Sequence, residues 1–519
     1  MIEKQKKILI LFISFVEGGA VMFSELTGAK MVAPYFGTSL YVWASAIGIT
    51  LGSLAIGYFS GGYFSKKMKS AVLLFWIFLL AGFFITIMPH SGIWIMKKTI
   101  GLSIQTGVSV SMLFFLMPPL VLCGMMSPMI IKLLTDTAAM SGRISGLVYS
   151  ISTLGGIIFT YVTGFYLLPE FGITKPSAIM GLSIVILSLI LLVANKKYLS
   201  LIVLIFILKP MNLSFKKTYE NDSVYKILYE SEGVFGQVKV LDQMICTHTR
   251  GWKKGRNLLV NNISQSSMNL NNPEYSLWDY SYYMPLAASI YPKGSKALVM
   301  GMGAGTLLKQ FNRLGFIVAS VEIDDRIKYV AYKYFNLENN YKIIIDDARH
   351  FIKTTNEKYD IIAFDLFNSE TPPIHLLTKE CFNEVKNHLT DNGLFMINFY
   401  GFITGEKGIA SRSLYVTLKD CGYNVYLLST PGESELNKNL IFLASKQKQR
   451  FNNVNYSEPD LPVITNLELS FLNPDKINFT DALVLSDNYS NLEHLYLNAA
   501  IDWRTANNKS YAEVFIKNL

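Results

Sequence analysis

"ALVMGMGAGTLLKQF", residues 297–311, runs a short apolar stretch into three glycines at alternate positions, Gly301, Gly303 and Gly305, and then into an amphipathic segment. A strand that opens into a glycine loop and a helix is one βα unit, and the chain downstream repeats the pattern. "KALVM" is the strand and "TLLKQFNRL" its helix. "FIVASVEI" and "DRIKYVAYKYF", "YKIIID" and "ARHFIKT", "YDIIAFD" and a helix around 378–389, and finally "GLFMINF" follow in alternation. Such a series predicts a parallel sheet with helices on both faces. Upstream, from about residue 223, "SVYKILYES", "GQVKVLD" and "RNLLVNN" are short, β-rich and separated by turn residues, which predicts a small antiparallel sheet.

Ligands of open α/β sheets bind at the carboxyl ends of the strands, where the glycine loop lies. Glycines also serve tight turns that hold nothing. Here, however, each of the next three strands ends in an acid. Glu322 closes the second strand, placed to accept both hydroxyls of a ribose. Asp346 and Asp347 close the third, near an adenine amino group, and Asp365 closes the fourth and points into the same crevice. That series predicts a nucleoside site. The spacing is G-x-G-x-G rather than the G-x-G-x-x-G of dinucleotide folds, and no basic residue stands by for phosphates. An acidic lining suits a cationic ligand, so S-adenosylmethionine or a derivative is expected rather than NAD.

The first two hundred residues are of another kind. The 519-residue chain is 51% hydrophobic, with a positive mean hydropathy, and its long apolar runs gather at 8–24, 40–62, 70–89, 108–131, 144–168 and 176–194. Each is about long enough to cross a ~30 Å hydrocarbon core as a helix. A cleavable signal peptide would explain only the first, and no small-residue cleavage site follows it. Before residue 210 there are 15 Lys and Arg against 5 Asp and Glu; the remainder has 32 against 33. The cations gather in alternate connections, at Lys4, Lys6 and Lys7, at Lys66, Lys67 and Lys69, at Lys132 and Arg143, and at Lys196 and Lys197. The positive-inside rule places these in the cytoplasm, with Lys97 and Lys98 as the discordant pair. Six crossings then return the chain to the cytoplasm, and "YLSLIVLIFIL" (198–208) reads as a re-entrant or interfacial piece. Glu17 and Glu25 lie in or at the end of the first hydrophobic segment, where carboxylates are costly and usually functional. They point about 80° apart on a helix, so both can face one cavity, although Glu25 equally fits the headgroup level. Gly52, Gly57, Gly61, Gly155 and Gly156 suit close helix packing, and Pro118, Pro119 and Pro128 are expected to break or kink the fourth helix. The four cysteines show no paired spacing and the six histidines no metal-ligand pattern, so neither a disulfide framework nor a metal site is expected.

These residues resemble the spermidine synthase family over about 223–400, small sheet included. In that family a Gln after a strand helps hold the sulfonium ligand, and "VNNISQS" offers Gln265. The family's glycine loop, its V-E-I-D and its acidic third-strand end match Gly301, Gly303, Gly305, Glu322 and Asp347. Its catalytic D-x-x-D-P segment aligns with "FDLFNSETPP", which implies Asp365 as the amine-binding carboxylate. "SELTGAKMVAPYFGTSLYVWAS" and "MMSPMII" resemble the transmembrane branch of the family, described as fused transporter-like and spermidine-synthase-like proteins. The match has departures. The loop Asp of soluble members is Ala304, the second catalytic Asp is Asn368, the Asp-Gly before the Gln is Asn261-Asn262, and the Tyr-His-Glu before the fold reads Leu277, Trp278, Asp279. Glu370 stands where it can replace a lost carboxylate. "ALVLSDNYSNLEH" (482–494) resembles a late segment whose acidic-Tyr turn approaches the active site, with Asp487 and Tyr489 as candidates; a surface turn accounts for it equally.

The expected protein is an α-helical polytopic membrane domain (1–210, about six spans and a short seventh apolar segment), a small antiparallel β domain (216–270), an α/β Rossmann-like domain of the S-adenosylmethionine-methyltransferase type (271–447) and a C-terminal extension (448–519). The resemblance implies a multi-pass cell-membrane transferase with its soluble part in the cytoplasm. Its reaction would move the aminopropyl group of decarboxylated S-adenosylmethionine, as co-substrate, to an amine in polyamine biosynthesis, without a metal. Two alternatives stand beside it: methyl transfer or related sulfonium chemistry from S-adenosylmethionine to an apolar acceptor, and a transporter with a nucleoside-sensing domain. Expected partners are a small-molecule amine or membrane-delivered acceptor, the lipid bilayer and a second copy of the chain, with no nucleic acid.

Overall fold

The computed structural model describes residues 2–207, 225–431 and 438–515, apart from 69, 136, 248, 250, 368 and 490. The chain forms two compact units, one of residues 1–219 with 231–237 and 508–519, the other of 220–230 with 238–507.

The first unit is helical: α1 (Ile2–Met31), a single turn α2 (Ala33–Phe36), α3 (Leu40–Ser65), α4 (Val72–Thr99), α5 (Ile104–Phe115), α6 (Met117–Leu134), α7 (Ser141–Val162), the short α8 (Leu168–Phe171) and α9 (Thr174–Ala194). Among the described residues, six stretches are long and apolar enough to cross a bilayer: 4–36, 41–65, 72–99, 117–134, 138–171 and 174–194. The expected run at 108–131 is cut in two at Leu116. Pro118 and Pro119 open α6, where a residue without an N–H costs nothing, whereas Pro128 stays inside that helix. Small residues bring the helices together: a Cβ on Gly155 would lie 1.9 Å from the Phe15 carbonyl, and one on Gly61 would lie 2.3 Å from that of Met125. Gly57 packs in the same way, and Gly156 lies against the Met22 side chain. Gly52 faces open space and packs against nothing.

Segment 231–237 belongs to the helical unit. Lys30 donates to the Val234 carbonyl (2.9 Å), and the N–H groups of Ile173 and Thr174 donate to Glu232 at 2.6 and 3.2 Å. The connections at 32–39 and 170–174 lie at the helix ends opposite those of Lys66, Lys67 and Lys132. Charge orients helices but does not count them. The apolar stretch Tyr198–Ile207, a short helix with most of its large side chains exposed, is where the count was ambiguous.

The second unit holds two sheets. β1 (Tyr225–Ser231), β2 (Val238–Thr247), β3 (Gly251–Val260) and β4 (Ile263–Asn269) lie in that order. β3 and β4 pair antiparallel, and their hairpin closes on Asn261 and Asn262 at φ 49° and 62°, the left-handed pair that a two-residue turn demands and asparagine tolerates. The larger sheet begins behind α10 (Tyr280–Ala288). It alternates β5 (Lys296–Met300), α11 (Thr306–Arg313), β6 (Ile317–Glu322), α12 (Asp325–Tyr334), β7 (Lys342–Ile345), α13 (Ala348–Thr354), β8 (Tyr359–Phe364), α14 (Lys379–His388), β9 (Leu389–Gly401), α15 (Ile409–Asp420), β10 (Asn424–Ser429) and β11 (Lys438–Ser445), and closes with α16 (Leu492–Phe515).

The strand order is β10-β11-β9-β8-β5-β6-β7. The pairings from β7 through β9 are parallel, as the alternation predicts. β11 pairs antiparallel with both neighbours, because the chain from β10 to β11 is too short for the crossover that parallel pairing needs. Ala297 and Val299 enter the core under α10, α11 and α12, whereas Leu298 and Met300 enter the one under α13, α14 and α15. A strand covered on both faces is apolar throughout, which is why "ALVM" is unbroken. The order turns at β5 and β8, and a crevice opens beyond the carboxyl ends of strands at such a switch.

Candidate active site

β5 delivers the chain to Gly301, whose φ is +81°. A Cβ there would lie 2.3 Å from the Asp365 carbonyl oxygen, so only glycine lets the end of β5 lie against the end of β8. At Gly303 a Cβ would stand 2.6 Å from Ser266 Oγ, and that hydroxyl accepts the Ala304 N–H at 3.1 Å. The small sheet thus closes over the loop through β4. Gly305, also left-handed, is the N-cap of α11.

Glu322 ends β6 beneath this loop. Its Oε2 accepts the Met302 N–H at 3.1 Å and its Oε1 the Asp324 N–H at 3.0 Å. Burial pushes its carboxyl up to about 7, against the pull of those N–H groups. Each carboxylate oxygen keeps acceptor capacity beyond its one bond, which suits a vicinal diol. The Asp346 N–H donates to the Glu322 carbonyl at 3.0 Å, and its carboxylate meets His350 Nδ1 at 2.7 Å. Asp347 caps α13 by accepting the N–H groups of Arg349 and His350, and His375 Nε2 lies 3.1 Å from it. Burial raises the Asp347 carboxyl, but these donors outweigh burial and hold it below its ordinary value.

Asp365 follows β8 and is half-buried. Tyr280, the first residue of α10, donates its hydroxyl to Oδ2 at 3.0 Å. Asn398, in the adjacent β9, donates Nδ2 to Oδ1 at 2.8 Å, and Asn439 in turn donates to Asn398 Oδ1 at 2.8 Å. Burial raises the Asp365 carboxyl to about 6, partly offset by those two bonds. The Tyr280 phenol is pushed well above its ordinary range by burial and by the neighbouring carboxylate. Held between two neutral donors, the carboxylate is oriented yet retains basicity.

The remaining candidates divide. Gln265 lies in β4 and donates Nε2 to the Ser369 carbonyl at 3.2 Å, which joins it to the loop after Asp365. Glu370 is buried against Arg504 and Ser369. Asp279, the N-cap residue of α10, accepts the Thr249 hydroxyl at 2.6 Å. Asp487 forms a fork with Arg349 at 2.7 and 2.6 Å and also accepts from Thr378, so it ties α13 to the cap of α14. Tyr489 is 63% exposed in the turn whose N–H bonds back to Ser486. Asn368 lies outside the described residues. In the helical unit Glu17 is 2% exposed and accepts the Ser152 hydroxyl of α7 at 3.0 Å, whereas Glu25 is half-buried.

Sequence reasoning passed over Tyr280, Asn398 and Ser266. A signal existed for the first two. Tyr280 directly follows the Leu277-Trp278-Asp279 segment, and Asn398 interrupts the apolar run 394–399 of β9 near its carboxyl end, as the acids do at the ends of β6 and β8.

Residues 281–455 match the spermine/spermidine synthase domain family. A probable polyamine aminopropyl transferase of Bifidobacterium longum is 25% identical over 225 residues, 43% of this chain and 46% of that one. An N-terminal histidine N-methyltransferase of Emericella nidulans is 35% identical over 116 residues, 21% of each chain. Both alignments span less than half of the relative's length. Polyamine aminopropyltransferase 2 of Aquifex aeolicus is 23% identical over 443 residues, 80% of this chain and 83% of that one.

Proposed function

We propose that this chain, which carries a spermine/spermidine synthase domain and is homologous to polyamine aminopropyltransferases, moves an aminopropyl group from decarboxylated S-adenosylmethionine to an amine, from a protein embedded in the bilayer by its first half. The observation that carries this reading is Asp365: a carboxylate of raised pKa, oriented by Tyr280 and Asn398, at the strand end that faces the glycine loop. Glu322 would accept both ribose hydroxyls, Asp346 and Asp347 would face the adenine end, and Gln265 and the loop would border the sulfonium. The acceptor nitrogen attacks the methylene carbon beside the sulfonium. As the C–N bond forms the C–S bond breaks, methylthioadenosine leaves, and the proton shed by the amine passes to Asp365 and then to solvent. Sulfonium leaves readily, so alignment of the amine supplies most of the effect, and a base near neutral pH supplies the rest. The six apolar stretches support membrane embedding.

A second reading, methyl transfer from intact S-adenosylmethionine, is favoured by the buried Ala304, which leaves the loop without an acid, and by the N-methyltransferase relative. One experiment separates them. The purified protein, given each sulfonium with an amine, should release methylthioadenosine from the decarboxylated form; S-adenosylhomocysteine from the intact form instead would establish the second reading.

A further inference from the structure

We propose that Arg504, in α16, is a positioning residue: it locks the loop behind Asp365 to the turn ahead of Gln265 and thereby withdraws Glu370 from the acceptor. This rests on the aminopropyl-transfer reading of the site.

Arg504 has no exposed surface. Its Nη1 donates to the Asn261 carbonyl at 2.8 Å, its Nη2 donates to Ser369 Oγ at 2.6 Å, and it pairs with the Glu370 carboxylate. One planar fork therefore spans the two walls of the site, the β3–β4 turn and the loop 365–370, as only a guanidinium with several fixed donors can. Asn507, one turn along α16, donates to the Asn262 carbonyl at 2.8 Å. Trp503 packs on Tyr400 and on Phe367 of the same loop, with ring centroids 4.3 and 5.6 Å apart. Ser369 holds a left-handed φ of 64°, uncommon for a residue with a Cβ. It is held by Arg504 on its side chain and by Gln265 on its carbonyl.

Two consequences follow. The separation between Asp365 and Gln265, one facing the acceptor and the other the sulfonium, is set through a helix more than a hundred residues downstream. Of the two acids in the loop, Glu370 is spent on Arg504, and Asp365 alone is left for the amine.

The test uses the full-length protein in detergent. R504Q leaves Glu370 buried without its cation, a strongly unfavourable state. It should raise KM for the amine and lower kcat by about tenfold or more in combination, while affinity for methylthioadenosine stays within about threefold. R504Q/E370Q removes the buried unpaired acid but does not restore the fork, so it should regain part of the loss while KM for the amine stays raised about fivefold or more. An R504Q enzyme with unchanged KM and kcat overturns the proposal. So does a double variant with wild-type KM and kcat, since the two walls would then need no fork to hold them. Should R504Q not fold, R504K keeps the charge but loses the fork and should raise KM for the amine about fivefold or more; an unchanged KM refutes the clamp. If the wild-type protein turns over no sulfonium with any amine, the functional reading fails and the clamp is still tested by hydrogen exchange. Amides of 261–266 and 365–372 should lose protection together in R504Q and stay below wild-type protection in the double variant, and unchanged protection overturns the proposal.

Discussion

Replacing Tyr280 by Phe removes one of the two donors to Asp365 and little else, since the ring stays and the lost hydroxyl served that carboxylate at 3.0 Å. A hydrogen bond to a charged group contributes about 1.5–3 kcal/mol, and one pKa unit is about 1.4 kcal/mol, so the carboxyl should rise by about one to two units. From its present value near 6, the acid limb of kcat/KM for the amine should therefore move to between about 7 and 8. At pH 7 the ionised fraction falls from about nine tenths to between about one half and one tenth, a two- to tenfold loss. Because the ionised form is the active one, the loss should vanish near pH 9. The same shift has a stability consequence of opposite direction. Asp365 binds its proton more tightly folded than unfolded, so its contribution to stability falls as pH rises from about 4 to about 6, and in the variant to about 7 or 8. The assay is release of methylthioadenosine across pH 5.5–9.5, with calorimetry confirming unchanged nucleoside affinity. A uniform loss at every pH, or an unmoved acid limb, would refute the assignment of Asp365 as the ionising group.

Asp365→Asn keeps volume and should keep nucleoside affinity while turnover falls about 10²–10⁴-fold; loss of nucleoside binding instead would make Asp365 a ligand contact. Glu322→Gln exchanges two charge-assisted ribose contacts for weaker ones and should cost roughly 10- to 100-fold in methylthioadenosine affinity by calorimetry. Wild-type affinity should itself rise as pH passes through about 7 and Glu322 ionises, and a flat profile would count against the ribose role. For topology, cysteines placed singly at Ser103 and Ser231 should react with an impermeant reagent from the same side of the membrane, and one at Ser141 from the other; Ser231 labelling with Ser141 would sink the reading of the helix ends.

The large sheet was legible because burial on both faces makes strands apolar throughout, and acids at their carboxyl ends punctuate them. What escaped lies in long-range pairings that no local pattern encodes. β10 and β11 lie beyond the βα series read from the sequence, and their antiparallel pairing follows only from a short connection. Tyr280 and Asn398 meet at Asp365 from sequence separations of 85 and 33 residues, and nothing local to either announces the other. Arg504 reads as a helix-face cation, the commonest of surface residues, until it is found fully buried. In the helical unit, composition marked the spans well, because apolar length is a local property, but the position of 231–237 depends on contacts made across two hundred residues.

The two raised acids acquire a common sense once charge is followed through the reaction. Glu322 and Asp365 are both held above the ordinary carboxylate range chiefly by burial, so near pH 6 much of each is protonated before any ligand arrives. A cation in the crevice favours their charged forms. Binding a sulfonium should therefore ionise both, strengthening the ribose contacts through Glu322 and readying Asp365 for an amine that has not yet bound. At pH 6 an amine arriving first meets a carboxyl that is about half neutral, so binding of the co-substrate before the acceptor should be favoured there. Each sulfonium bound at pH 6 should release a measurable fraction of a proton, read from calorimetry in buffers of different ionisation enthalpy. That release should shrink in Asp365→Asn and approach zero at pH 8.5. Binding without proton release at pH 6 would mean the acids are already charged in the free protein, and the ordered scheme would fall with them.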